Sequence, residues 1–239
     1  MMNHDSSPLM NFPEGEHTGF ITGIAGRIEV STMTPRAVEG KSAAVSPALA
    51  IVCHPHSLLG GTKDNKVVHT LAKMFRDQGM YSIRFNFRGV GNSEGTFDAG
   101  RGEAEDVITV VEWARSVLPI NLMPSKMPVW LAGFSFGAYV SLRAANRLNE
   151  RGGEEQLAQL ITIAPPVGHF PLEDEKRPPC PWVVVQGDQD EVVVPTQVFE
   201  WANTLSPPPQ LIVMEGASHF FHGRLIELRN RLESVLFSD

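Results

Sequence analysis

Met127-Pro128-Val129-Trp130-Leu131-Ala132-Gly133-Phe134-Ser135-Phe136-Gly137-Ala138-Tyr139-Val140-Ser141-Leu142 decides how this chain folds. The first part is a short apolar run suited to a buried strand, and the last is an Ala/Val/Leu stretch suited to a helix. Between them stands Gly133-Phe134-Ser135-Phe136-Gly137, a GxSxG pentapeptide. A serine on so tight a strand-to-helix turn takes strained dihedrals, and glycines on either side leave no Cβ to collide with neighbouring backbone. Its hydroxyl then stands clear of the sheet, with the unpaired N–H groups and positive dipole end of the following helix aimed at the same spot. GxSxG by itself also fits an ordinary Gly/Ser loop; the strand before it and the helix after it favour a nucleophile.

Outward from this centre, apolar strands alternate with amphipathic helices. Ala48-Leu49-Ala50-Ile51-Val52-Cys53, Tyr81-Ser82-Ile83-Arg84-Phe85-Asn86, Leu160-Ile161-Thr162-Ile163-Ala164, Trp182-Val183-Val184-Val185-Gln186-Gly187 and Leu211-Ile212-Val213-Met214 read as strands, several covered on both faces. Helices are expected from about Asn65 to Gln78, from Glu103 to Leu118, through the Ser135 helix to about Asn149, from Thr196 to Leu205 with Thr196 as its cap, and at Leu225 to Leu236. Residues 16–34 suit one or two antiparallel strands turning near Ala25-Gly26, and 35–46 suit a polar connection. The acidic Glu103, Glu105 and Asp106 read as a solvated helix start that complements the dipole. This alternation implies a mostly parallel sheet with helices on both faces and sites at the carboxyl ends of the strands. No repeat or linker divides residues 1–239, which read as one domain with a loosely ordered tail at 1–15.

Composition narrows the function. The chain has 239 residues, 42% hydrophobic and 20% charged, with a formal net charge of −7. Such a balance argues against nucleic acid or an anionic membrane surface as partner. The amino terminus lacks the basic start and apolar run of a secretory signal, and no stretch is long enough to span a bilayer, so a cytoplasmic location is expected. Cys53 and Cys180 read as packing thiols rather than a disulfide or metal ligands. A homodimer is compatible with the sequence without being required by it.

Candidate chemistry gathers at the ends of strands. After the 48–53 strand comes His54-Pro55-His56-Ser57-Leu58-Leu59-Gly60-Gly61-Thr62, a loop placed to lend a backbone N–H to an oxyanion; His56 is the choice, with Ser57 and Leu58 as alternatives. His54 and His56 also form an HxH pair, but a metal site needs further ligands. Phe87-Arg88-Gly89-Val90-Gly91-Asn92-Ser93-Glu94-Gly95 looks like a phosphate loop, yet its third glycine is one place late and no helix opens from it directly, so it reads as a turn. The 182–187 strand delivers Asp188, Asp190 and Glu191. Asp190 lies further out and is favoured as the acid, while Asp188 suits bracing the turn. The 211–214 strand delivers His219, and His222 reads as a core or capping histidine. The chain order Ser135, acid, His219 is the one used on α/β-hydrolases.

Together these segments resemble the small lidless bacterial α/β-hydrolases, serine esterases related to dienelactone hydrolases and carboxylesterases. The resemblance rests on His54-Pro55-His56 with Gly60-Gly61-Thr62, Asn65-Lys66-Val67-Val68, Arg84-Phe85-Asn86-Phe87-Arg88-Gly89-Val90-Gly91, the GxSxG segment, Gln186-Gly187-Asp188-Gln189-Asp190-Glu191-Val192 and Gly216-Ala217-Ser218-His219-Phe220-Phe221. It implies an α/β-hydrolase fold without a lid domain and a triad of Ser135, Asp190 and His219, with no metal or cofactor. The N–H groups of Phe136 and His56 are expected to form the oxyanion hole. Dienelactone hydrolases proper use a cysteine nucleophile, and this chain has serine. The short proline-rich connection from Pro165 to Pro181 leaves no room for a lid, so an open, shallow site is expected. The activity expected is cleavage of small carboxylic esters through an acyl-enzyme. The alternatives are a thioesterase or amidase with the same residues, or a non-catalytic binding protein on the scaffold.

Overall fold

A computed structural model describes residues 7–36, 48–119, 122, 127–151 and 157–237. The expectations for the first six residues, most of the 35–46 connection and Gly152-Gly153 fall outside these. An eight-stranded sheet carries the order β1-β2-β4-β3-β5-β6-β7-β8. β1 (Glu16–Gly23) and β2 (Gly26–Met33) form an antiparallel hairpin, and β2 joins β4 (Tyr81–Phe85) antiparallel. From there β4, β3 (Leu49–Cys53), β5 (Val129–Phe134), β6 (Leu157–Ile163), β7 (Trp182–Gly187) and β8 (Gln210–Met214) run parallel. The mostly parallel sheet is the one that the strand and helix pattern implies, and the architecture is the α/β-hydrolase fold implied by the resemblance.

Burial explains why the central strands are so apolar. Every residue of β3 and of β7 is buried, because helices cover both sides of the sheet. One face packs against α2 (Arg101–Val117), α3 (Phe136–Glu150) and α4 (Pro195–Thr204), the other against α1 (Lys66–Asp77) and α5 (Leu225–Leu236). Asn65 caps α1 by accepting the Val67 N–H at 2.9 Å, and Gly79, at φ 84°, turns the chain out of it.

Several sequence expectations need correction. Residues 7–15 are not loose: the Leu9 N–H donates to the Phe20 carbonyl at 2.8 Å, the Trp113 indole N–H donates to the Leu9 carbonyl at 3.1 Å, and Phe12 packs on Tyr81 and Trp113. The acids at the start of α2 are not a solvated face. Glu103 is fully buried and accepts the N–H groups of Asp98 and Gly100, both at 2.8 Å. Asp106 is also buried and holds the Arg88 guanidinium at 2.7 Å together with the Arg88 N–H at 3.0 Å. Burial lifts the Asp106 carboxyl above the ordinary range even with Arg88 against it. In α4 the cap is Val194, with Pro195 at the first helical position, so Thr196 lies inside the first turn.

The joint between β5 and α3 sits where backbone approaches backbone. A Cβ on Gly137 would stand 2.4 Å from the Cys53 carbonyl oxygen and 2.6 Å from that of His54; one on Gly133 would stand 2.0 Å from the Gly137 oxygen. Helix propensity alone favours alanine over glycine by about 1 kcal/mol. Overpacking against rigid backbone costs about 1–3 kcal/mol or more, so the contact wins. Gly137→Ala is therefore expected to lower, not raise, the free energy of unfolding measured in urea, by roughly 1–2 kcal/mol.

Candidate active site

Ser135 occupies the turn between β5 and α3 at φ 55° and ψ −121°, a left-handed conformation costly for any residue with a Cβ. The turn is held: the Ser135 N–H donates to the Ile163 carbonyl at 2.8 Å, and its carbonyl accepts the Ala138 N–H at 2.8 Å. With the backbone so fixed, the side chain projects from the carboxyl edge of the sheet toward the loop after β8. There His219 Nε2 lies 3.1 Å from Ser135 Oγ, and Nδ1 lies 2.8 Å from Asp190 Oδ2. The imidazole is 2% exposed and Ser135 9% exposed, so little water competes for these bonds.

Asp190 is chosen over its neighbours by geometry. Its Oδ1 accepts the N–H groups of Val192 at 2.8 Å and Val193 at 2.7 Å, and Oδ2 takes the Gln186 side-chain amide at 2.9 Å besides His219. Burial works to raise this carboxyl, but the hydrogen bonds from His219, Val193 and Gln186 outweigh it and hold Asp190 below the ordinary carboxylate range. An ionised Asp190 can only accept, which assigns the proton to Nδ1 of His219 and leaves the Nε2 lone pair facing the serine hydroxyl. Asp188 instead accepts the Gly216 N–H at 2.6 Å, and Glu191 accepts the His219 N–H at 3.0 Å. The sequence reading gave Asp188 a bracing role and held Glu191 only as a candidate acid, missing its bond to the His219 backbone and the part played by Gln186.

On the other side, the loop after β3 adjoins the start of α3, with the rings of His56 and Phe136 5.1 Å apart. Phe136 opens the helix, so its N–H has no carbonyl four residues back inside it. His56 accepts the Leu58 N–H on Nδ1 at 3.2 Å and packs among Phe97, Phe136 and Phe170. The loop is tied down by a buried polar cluster that the sequence did not announce. Asn86 accepts the Lys63 N–H at 2.8 Å and donates to Glu29 at 2.8 Å, while Glu29 lies 3.6 Å from the Lys63 ammonium.

The remaining histidines do different work. His54 is fully buried; Nδ1 lies 2.7 Å from the Pro55 carbonyl, and Nε2 accepts the Phe87 N–H at 3.0 Å. Neither ring nitrogen is left for a metal, and among the described residues no group of three or more His, Cys, Asp or Glu is gathered for one. His222 is neither core nor cap: it is exposed, and α5 begins only after Arg224. The glycine loop at Gly89, Gly91 and Gly95 is a turn, with all three at positive φ. Cys53 and Cys180 are buried free thiols, which burial pushes up to about 12 and about 11. The 165–181 connection holds a single short turn of 3-10 helix at Leu172–Asp174. No described helix is long and apolar enough to cross a membrane.

Comparison with known proteins shows the family and the fold. The family model described as X-Pro dipeptidyl-peptidase (S15 family) matches residues 26–151, just over half of the chain. The crystal structure of XC6422 from Xanthomonas campestris, described as an α/β serine hydrolase without lid, is 43% identical, covering 93% of this chain and 94% of that one with a TM-score of 0.81. An α/β serine hydrolase homologue from Coxiella burnetii is 44% identical, covering 96% and 100% of the two chains with a TM-score of 0.79. The uncharacterized protein RP471 of Rickettsia prowazekii (strain Madrid E) is 33% identical over 212 residues, 84% of each chain.

One consequence concerns pH. Burial holds the His54 imidazole at about 4, against 6.5 for the free group, so between these values the unfolded chain takes up a proton that the folded chain refuses. Unfolding free energy is therefore expected to fall by about 3 kcal/mol from this group as pH drops through that window, with no contribution above it. Urea titrations of the wild type and His54→Asn across the window measure the difference, and the imidazole NMR signal of His54 should titrate near the lower limit.

Proposed function

The chain belongs to the α/β serine hydrolases without a lid, and to the group whose core the S15 family model describes; on that premise we propose that it cleaves small carboxylic esters through an acyl-enzyme. The observation that carries the reading is the unbroken relay from Ser135 Oγ through His219 to Asp190. His219 takes the hydroxyl proton on Nε2 as Oγ bonds to the substrate carbonyl carbon. Asp190 steadies the imidazolium without taking a proton itself. The carbonyl oxygen, now negative, accepts the Phe136 and His56 N–H groups, each worth about 2.7–4 kcal/mol in the transition state. Collapse expels the alcohol, which receives its proton from His219, and water, deprotonated by the same imidazole, then releases the acid.

Esters ask less of this apparatus than amides do, since an alkoxide leaves far more readily than an amide nitrogen and the ester carbonyl is the more electrophilic. The 165–181 connection holds only one short 3-10 turn and no helical cover, and an open site of this kind gives a long acyl chain no wall to lie against. The S15 description favours a second reading, amide hydrolysis by the same residues. A panel of ester, thioester, lactone and amide substrates separates the two.

Ser135→Ala is expected to lower kcat for p-nitrophenyl acetate at least about 10⁴-fold and to abolish labelling by a fluorophosphonate probe, with circular dichroism unchanged. Equal rates in both proteins would place the chemistry elsewhere. Acetate and butyrate esters are expected to give higher kcat/KM than laurate, and the reverse order without detergent would contradict the preference for short acyl chains.

A further inference from the structure

A cleft of about 180 Å³ opens beside the relay, between the start of α1 and the loop that leads into α5. Its apolar wall is Val67, Leu225 and Phe220, and its ionisable groups are Lys66 and His222. Phe220 follows His219 directly and stands edge-on to the imidazole, with ring centroids 5.0 Å apart and planes at 89°. One wall of the cleft thus packs on the imidazole that faces Ser135, although neither His219 nor Ser135 lines the cleft itself.

The charge of this cleft runs against that of the molecule. The chain carries a formal −7, yet no carboxylate lines the cleft. The acids nearest in sequence are occupied: Asp64 is bound by Lys63 at 3.1 Å and by Arg84, and Glu227 by Arg224 at 2.6 Å. Among the described residues Lys66 makes no ion pair, and it is exposed at the rim. Asn65 spends its side-chain oxygen on the Val67 N–H and offers the cleft only a neutral amide donor, so the positive charge that would meet an anion comes from Lys66. The volume is close to that of a cavity known to accept one benzene ring, about 150 Å³.

Resting on the ester-hydrolase reading, we propose that this cleft is the leaving-group subsite and takes an alcohol or phenol of about one ring bearing a negatively charged group, a carboxylate above all. The ring lies against Phe220 and Leu225, and the anion meets Lys66, with the His222 ring beside it.

The test compares 4-acetoxybenzoate with 4-acetoxybenzamide, which share the acyl group and differ in the charge of the phenol. The ratio of their kcat/KM values is taken in the wild type, Lys66→Gln and Lys66→Glu, so that intrinsic reactivity cancels. Lys66→Gln is expected to lower the anionic-to-neutral ratio about fivefold, through KM of the benzoate, and Lys66→Glu to lower it further. The wild-type preference should shrink in about 1 M salt, where the Debye length is about 3 Å. A ratio unchanged in both variants, with Ser135-dependent turnover of both esters, overturns the subsite and leaves the esterase reading in place. Absence of Ser135-dependent turnover of either ester overturns both.

Discussion

Everything at the site depends on how closely the start of α3 presses against the end of β3. The helix can reach that position only because Gly137 presents no side chain to the Cys53 and His54 carbonyls and Gly133 none to Gly137. This approach sets Ser135 at positive φ, brings the N–H of Phe136 beside the loop carrying His56, and points the serine hydroxyl away from the sheet. Strain at Ser135 is tolerated because the strand ladder continues through its N–H to Ile163 and the helix begins at once from its carbonyl. The placement of Ser135 and of the Phe136 N–H is thus the product of one packing contact.

A second layer of order comes from buried charge. Arg88 and Asp106 pair beneath the loop after β4, and Gly102 is what allows it, since a Cβ there would lie 2.0 Å from the guanidinium. Glu103 closes the start of α2 on Asp98 and Gly100, and Glu29, Asn86 and Ser93 knit the β2 hairpin to the same loop. Such groups contribute little net stability against an apolar replacement, but removing one partner alone costs about 3–5 kcal/mol. Their value here is positional: Asn86 and Arg84 grip Lys63 by its N–H and carbonyl, and Lys63 ends the loop that carries His56.

Sequence patterning made the sheet legible because strands covered on both faces must be continuously apolar, as Leu49 to Cys53 and Trp182 to Val185 are. Ser135 and His219 were legible because each follows a strand within a small-residue turn. What stayed hidden was the state of the acids. Glu103 and Asp106 carry the mark of an exposed helix start, and only the tertiary position of Arg88 and of the loop before α2 turns them inward. The anchoring of Leu9 and Phe12 was hidden for a similar reason, since a polar, proline-bearing segment gives no period by which to recognise contact with Trp113.

The three acids after β7 were hard to tell apart because all three are used. Asp188 fixes Gly216, Glu191 fixes the backbone of His219, and Asp190 is left to meet the imidazole. The two loops are also stitched by the N–H of Gln189 on the Ala217 carbonyl, and a Cβ on Gly187 would stand 2.2 Å from that same oxygen. Phe221, at φ 51° and wholly buried, pins the far side of the histidine turn. A histidine on an exposed loop would lose rotamer and backbone freedom each time it met its partners. Here that entropy is removed on folding, so the imidazole stands ready between Ser135 and Asp190 without a lid to close over it.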